Sequence, residues 1–304
     1  LGVLNAVVDL DSSVANRISS QYSVRALTFS EALLDSNIDA LVISAPASHH
    51  YALTKRALLA GKHVFVEKPL SLEVMEAQQL CEIAEENNLT LMVGHLMQFH
   101  PAFLKLQKIC RSGDLGELRY AYSNRMNLGK VRTEENILWS FAPHDISMIL
   151  SLAGEEPELI RTESTNIVQA GIADIATIHL SFASGLKAHI SVSWLHPNKE
   201  QKLVIIGDSA MAVFDDTKPW GEKLALYRHK VEFNGGLPNL NKSEVEYLDV
   251  EQSEPLRNEC QHFIDIIENN TKPLTNEIEG LKVLQVLTAA TQSQINNKTI
   301  KIQE

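Results

Sequence analysis

Apolar runs alternate with amphipathic stretches over the first third of the chain, and this pattern constrains the fold most. The run Leu41-Val42-Ile43 is apolar without a polar alternation, which is typical of a parallel strand covered by helices on both faces. The pattern predicts a Rossmann-type α/β domain. The predicted strands are Val3–Asp9, Ala40–Ser44, His63–Val66 and Thr90–Val93, and the clearest intervening helix is Leu72–Asn87 with Ser71 as its N-cap.

Strands dominate after about Pro101, so the second part of the chain predicts a mostly antiparallel, open-faced sheet. We place the boundary between residues 1–98 and 99–304. The predicted strands are Glu117–Asn127, Glu158–Val168, Ile172–Phe182, Lys187–Ser193, Lys202–Ile206, Met211–Phe214 and Lys223–Arg228; the predicted helices are Phe103–Cys110, His144–Ala153 closed by Gly154, Pro255–Glu268 and Glu277–Ser293.

Composition excludes several classes of partner and site. The net charge of −11 disfavours a general nucleic-acid or anionic-membrane binder, since both would repel such a surface. Cys81, Cys110 and Cys260 lie far apart with no Cys-x-x-Cys pair, so neither a disulfide framework nor a metal site is expected, and a cytoplasmic setting fits. No apolar run reaches the roughly 18 residues of a membrane-spanning helix.

The segment Glu67-Lys68-Pro69 ends a predicted buried strand with two charged side chains. Open α/β sheets bind ligands at the carboxyl ends of their strands, which favours a functional role. The alternative is a surface salt bridge at a strand that proline terminates. The residues alone leave both interpretations open.

Together with Ser44-Ala45-Pro46 and His50, this segment resembles the Gfo/Idh/MocA family of oxidoreductases. The resemblance implies a dinucleotide-binding domain, here residues 1–98, followed by a substrate-binding and oligomerisation domain, here 99–304, with a sugar or polyol substrate. It runs through nearly the whole chain, by way of Gly94, Phe99-His100-Pro101, Gly113-Asp114-Leu115-Gly116, Pro143-His144-Asp145, Gly154, Trp194, Pro273 and Glu279-Gly280-Leu281.

The resemblance implies that Lys68 and His144 flank the reacting carbon. Oxidation of an alcohol removes a hydride and a proton, and His144 is our preferred base, kept neutral by the dipole of the helix that it is expected to begin. Lys68 would stabilise alkoxide character on the same oxygen. The alternative for His144 is a helix cap or a packing histidine. The family usually has an aspartate at the position of Ser140, so the substrate range or the proton path is expected to differ.

NAD is the cofactor that the resemblance implies. Asp9 ends a strand where an acidic residue binds the adenosine ribose, and Asp9 with Asp11 favours NAD over NADP because a 2′-phosphate would face carboxylates. The alternative is a solvated acidic turn. Further cofactor contacts are expected at Ser44, Pro46, His50, Glu67, Lys68 and His95, although His50 could equally be a helix cap and His95 a packing residue.

The glycine fingerprint of dinucleotide-binding folds does not occur in these 304 residues. We expect a strand, a glycine loop and a helix, roughly two dozen residues, to precede Leu1 in the complete protein. Without them NAD is expected to bind poorly, and the sheet to have a gap beside Val3–Asp9.

Substrate contacts are expected at Lys68, His144, Arg125, Arg132, Asn136 and Trp139, although solvated arginines are the commoner case. The run Ser193-Trp194-Leu195-His196-Pro197 resembles a subgroup linked to bacterial surface-polysaccharide assembly, so a nucleotide-linked sugar is expected. The alternatives are a free polyol such as an inositol, or a sensor that binds a nucleotide or sugar without turnover. A homo-oligomer, dimer or tetramer, is expected because the sheet would otherwise expose an apolar face.

Overall fold

Strands and helices alternate through the first part of the chain, as the sequence predicts, in a computed structural model that describes residues 1–302. Strands β3, β4 and β5 form a parallel sheet in chain order, and β1 and β2 form a separate parallel pair. The elements are β1 (Ala6–Val7), α1 (Ser12–Tyr22), β2 (Arg25–Ala26), α2 (Phe29–Leu34), β3 (Ala40–Ile43), α3 (His50–Leu59), β4 (His63–Glu67), α4 (Val74–Glu86) and β5 (Leu91–Gly94).

The three middle residues of the central strand β4 are buried. Val64, Phe65 and Val66 are at most 2% exposed, so both faces of this strand are covered. The apolar run Leu41-Val42-Ile43 of β3 was predicted to be covered on both faces in the same way, which is wrong, because Val42 is 61% exposed. The predicted start of α4 is wrong. The helix begins at Val74, and the Ser71 hydroxyl donates to the Glu73 carbonyl at 2.7 Å instead of capping the helix.

The chain divides into two compact units, and the first of them is discontinuous. It contains Leu1–Gly94 together with Glu259–Leu281, and the second contains His95–Asn258 and the chain from Lys282 onward. The returning segment packs on β5, where the Val93 N–H donates to the Thr275 carbonyl at 2.9 Å. The predicted boundary lies between residues 98 and 99. The two compact units differ from that prediction chiefly because Glu259–Leu281 belongs to the first unit. The domain boundary itself stays a prediction.

The second unit is built on a nine-stranded sheet in the order β15-β12-β11-β10-β6-β9-β8-β7-β16. Only the β6–β9 pair is parallel, so the predicted mostly antiparallel sheet is confirmed. The elements are α5 (Pro101–Ser112), β6 (Leu118–Leu128), α6 (Ile137–Ala153), β7 (Pro157–Thr165), β8 (Ile175–Phe182), β9 (Lys187–Ser193), β10 (Leu195–Gly207), β11 (Met211–Asp215), β12 (Leu224–Tyr227), β13 (Lys230–Asn234), β14 (Leu237–Asn241), β15 (Val245–Tyr247), α7 (Pro255–Asn269), α8 (Glu277–Asn296) and β16 (Ile300–Lys301).

The core of the second unit lies between the sheet and the helices on one of its faces. Residues of α5, α6 and the middle of α8 pack there against alternate residues of β6, β8 and β9. Trp194 is fully buried in this core, and its indole N–H donates to Asp174 Oδ1 at 2.6 Å. Along residues 1–302, no helix combines the length and the apolar character that crossing a membrane requires.

Candidate functional site

Lys68 follows β4 directly, at the carboxyl end of the parallel sheet in the first unit. Glu67 pairs in register with Gly94 of the neighbouring strand, and a Cβ at position 94 would lie 3.0 Å from Glu67 Oε2. The Glu67 carboxylate therefore lies over Gly94, where a larger residue would displace it. Glu67 and Lys68 are both half-buried, and the Lys68 N–H donates to Glu67 Oε2 at 3.3 Å.

His50 begins α3 beside the same strand ends, and its side chain is 1% exposed. Its Nδ1 lies 2.7 Å from the Pro69 carbonyl oxygen, and its Nε2 lies 2.7 Å from the Ala45 carbonyl oxygen. The ring thus contacts the backbone of the two loops that follow β3 and β4. The sequence predicted His50 near these loops but gave no signal for this double contact.

Asp9, Ser44 and Pro46 are exposed at the ends of β1 and β3. Asp9 Oδ1 accepts the Asp11 N–H at 2.8 Å. Asp11 caps α1 by accepting from the Ser13 N–H at 2.8 Å, and the hydrogen bonds from Ser13 lower the pKa of Asp11. A carboxylate after β1 and a hydroxyl after β3 are groups that can hydrogen-bond ribose hydroxyls, whereas the glycine fingerprint for the phosphates of a dinucleotide is not in the sequence.

His144 lies inside α6, in the second unit. The helix was predicted to begin at His144, which is wrong: it begins at Ile137, and the Asn136 side chain caps it by accepting from the Trp139 N–H at 3.2 Å. The helix dipole acts mainly on the first turn, so the argument that it keeps His144 neutral does not hold. His144 is half-buried and follows Pro143, which lies within the helix.

Asp145, next to His144 in the chain, holds Arg125 in a buried ion pair. Arg125 Nε lies 2.6 Å from Asp145 Oδ2 and Arg125 Nη2 lies 3.3 Å from Oδ1, while the Ser123 hydroxyl donates to Oδ1 at 2.5 Å. Asp145 is 1% exposed and Arg125 8% exposed. The guanidinium predicted to bind substrate is therefore engaged with a carboxylate of its own unit.

The remaining predicted residues occupy varied settings in the second unit. Trp139 donates its indole N–H to Thr291 Oγ1 at 3.1 Å, and Arg132 is half-exposed and pairs with Glu135 at 3.0 Å. His95 is 1% exposed at the start of a short 3₁₀ turn, and Ser140 is buried in α6. The structure brings Asn136 and Trp139 together through the helix cap.

Glu259 is an acid in the first unit that sequence reasoning missed. Its side chain is 1% exposed, and burial, with the nearby Glu67 carboxylate as a second cause, raises its pKa to about 8. Its Oε1 is buried and accepts no hydrogen bond from the described residues. The available signal was the position of Glu259 on the apolar stripe of α7, one turn before the buried Phe263.

A cavity of about 270 Å³ opens within the second unit. Its lining includes Gln107, Cys110 and Ser151. None of the predicted site residues lines it. We therefore do not equate this cavity with the predicted substrate site.

Comparison with known families decides the class of the protein. Residues 2–95 match the model of an oxidoreductase family with an NAD-binding Rossmann fold, and residues 103–213 match the Gfo/Idh/MocA C-terminal domain. The chain belongs to the Gfo/Idh/MocA family. The predicted family, fold class and oxidoreductase activity are thereby confirmed, and a nicotinamide dinucleotide is the cofactor type of its first domain.

Relatives of this Gfo/Idh/MocA protein span nearly its whole length. It is 27% identical to UDP-N-acetylglucosamine 3-dehydrogenase of Acidithiobacillus ferrooxidans over 92% of this chain and 86% of that protein. It is 25% identical to inositol 2-dehydrogenase of Rhizobium meliloti over 98% of this chain and 91% of that one. The solved structure of the Acidithiobacillus enzyme matches with a TM-score of 0.85 and 25% identity, covering 96% of this chain and 90% of that chain.

Proposed function

We propose that this protein is an NAD-dependent dehydrogenase that oxidises a ring hydroxyl of a sugar or nucleotide-sugar. The observation that carries the proposal is Lys68, a half-buried amine at the carboxyl end of the central strand of an NAD-binding domain. The similarity to a UDP-N-acetylglucosamine 3-dehydrogenase over 92% of the chain supports a nucleotide-sugar substrate.

A nicotinamide dinucleotide, when bound, would supply the acceptor for the hydride that leaves the substrate carbon. Lys68 donates a hydrogen bond to the substrate oxygen and stabilises the negative charge that develops on it. His144 accepts the hydroxyl proton, so the C–H and O–H bonds break and a ketone forms. An imidazole suits this role because its ordinary pKa lies close to neutral pH.

NAD is proposed over NADP because of the acidic strand end. In this proposal the adenosine ribose binds beside Asp9 and Asp11, so a 2′-phosphate would meet their carboxylates. Asp9 would accept from the ribose hydroxyls. Ser44 and the backbone after β3 and β4 would hold the rest of the nucleotide.

A free polyol is a second candidate substrate, favoured by the 25% identity to an inositol 2-dehydrogenase over 98% of the chain. An activity assay distinguishes the two candidate substrates. The full-length protein is given NAD and either UDP-N-acetylglucosamine or free inositols, and the absorbance of reduced nicotinamide is followed. We expect turnover of the nucleotide-sugar. Turnover of inositols alone would reject the nucleotide-sugar substrate, and cofactor binding without turnover of any sugar would indicate a sensor.

A further inference from the structure

His50 is a buried polar side chain for which the proposed reaction has no use. Its two ring nitrogens contact carbonyl oxygens of different loops, Pro69 O and Ala45 O, each at 2.7 Å. Pro69 follows Lys68 directly, and Ala45 follows Ser44 at the end of the adjacent strand. One ring therefore connects the loops that end β3 and β4.

The chemistry of these contacts excludes two simpler roles for His50. A helix-capping side chain accepts from backbone N–H groups of its own helix, whereas both partners here are carbonyl oxygens, which only accept. In either neutral tautomer one of the two contacts is a hydrogen bond that the ring donates, because the proton lies on one of the two nitrogens. A polar contact with the cofactor would need a ring nitrogen directed at the ligand, and both are already directed at the backbone.

We propose that His50 is a positioning residue that holds the loop carrying Lys68. This inference rests on the proposed function, since it assigns Lys68 the contact with the substrate. Hydrogen bonds buried away from water are stronger than exposed ones, and a catalytic group is held in place by such supporting contacts. The Pro69 carbonyl belongs to the peptide between Pro69 and Leu70, one residue after Lys68, so fixing it restricts the backbone beside Lys68 and with it the position of the amine.

Substitution of His50 separates positioning from cofactor binding. In the full-length protein, we expect His50→Gln to lower kcat by about 10- to 100-fold, because a small displacement of a catalytic group is enough for such a loss. The KM for NAD should change by less than about 3-fold. His49→Gln, at the exposed neighbouring position, is the matched control and should retain the kcat of the unsubstituted protein. A raised KM for NAD with an unchanged kcat would overturn the proposal in favour of a cofactor contact.

A double-mutant cycle with Lys68→Met tests whether His50 acts through Lys68. If it does, His50→Gln should lower the residual kcat of Lys68→Met by less than about 2-fold, because the group being positioned is gone. A full second loss would show that His50 acts independently, which contradicts the proposal. Near-normal turnover of Lys68→Met alone would instead reject the proposed role of Lys68.

Discussion

Arg125 and Asp145 form a buried charged pair immediately beside the histidine that we propose as the base. Three hydrogen bonds converge on the Asp145 carboxylate, two from Arg125 and one from Ser123. Removing one partner of such a pair leaves an uncompensated buried charge. The pair therefore supports the position of α6 on β6, whatever further contact Arg125 makes with a substrate.

Substitution of Arg125 distinguishes a structural role, as the partner of Asp145, from a role in binding substrate. We expect Arg125→Met to lower the free energy of unfolding by about 3–5 kcal/mol, because Asp145 would be left buried and unpaired. Chemical denaturation measures this loss, and Arg132→Met, at a half-exposed arginine, is the control with a change below about 1 kcal/mol. If Arg125→Met is as stable as the unsubstituted protein but has a raised KM for the sugar, Arg125 acts mainly as a substrate ligand.

Asp9 provides the test of cofactor choice. We expect Asp9→Ala to weaken NAD binding by about 10- to 100-fold, which corresponds to the loss of hydrogen bonds to a charged acceptor. Binding of NADP should weaken less, so the preference for NAD should narrow. Calorimetric titration with both dinucleotides measures the change, and an unaltered preference would remove Asp9 from the cofactor contacts.

At the scale of single elements, α7 carries an acid whose ionisation the fold disfavours. The pKa of Glu259 is raised from an ordinary 4.5 to about 8, chiefly by burial. The pKa of Glu259 is higher in the folded than in the unfolded protein, so protonation of Glu259 stabilises the fold. This contribution to the free energy of unfolding is fully present below about pH 4.5 and is lost as the pH rises through about 8.

Glu259→Gln should remove this pH dependence. Between about pH 5 and 8, the stability of the unsubstituted protein should fall relative to Glu259→Gln by up to about 1.4 kcal/mol per pH unit. Denaturation at a series of pH values measures the difference, with Glu268→Gln, exposed on the same helix, as control. Parallel stability profiles for the unsubstituted protein and Glu259→Gln would mean that Glu259 is ionised in the fold.

Strands were easier to predict from the sequence than the ends of helices. The apolar run of β4 identifies a buried parallel strand because such a strand needs apolar residues on both faces. The same pattern in β3 gave a wrong prediction of burial, since Val42 is 61% exposed. The predicted start of α6 at His144 was wrong because the helix continues through Pro143, a residue that usually interrupts a helix. The exposed hairpin of β13 and β14 gave no signal, since its strands have no buried face.

Some residues of the family motifs prove to have structural contacts that no linear pattern reveals. His100 caps α5, and its Nε2 lies 3.1 Å from Asp216 Oδ1. Burial alone would raise the pKa of Asp216, but hydrogen bonds from His100 and Lys223 lower it to about 2. These partners come from distant parts of the chain, so only the folded structure brings them together.

At the scale of the whole molecule, the face of the second unit's sheet that is not covered by helices is the surface on which we based the prediction of a homo-oligomer. We expected an apolar face there; its half-buried positions instead include stacked aromatic rings, with Tyr122 and His189 centroids 5.4 Å apart. A homo-oligomer stays a prediction. Light scattering should give the molar mass of a dimer or tetramer for the unsubstituted protein. The Tyr122→Glu variant should have a molar mass closer to that of the monomer. A monomeric unsubstituted protein would refute the prediction.

The central claim is that Lys68 and His144 act on one alcohol during hydride transfer. The most direct measurement is the single-turnover rate of reduced-nicotinamide formation in Lys68→Met and His144→Asn, with Lys105→Met, at an exposed lysine, as control. We predict that each of the first two substitutions slows this step by at least about 100-fold while NAD affinity changes little. A rate close to that of the unsubstituted protein in either variant would contradict the claim.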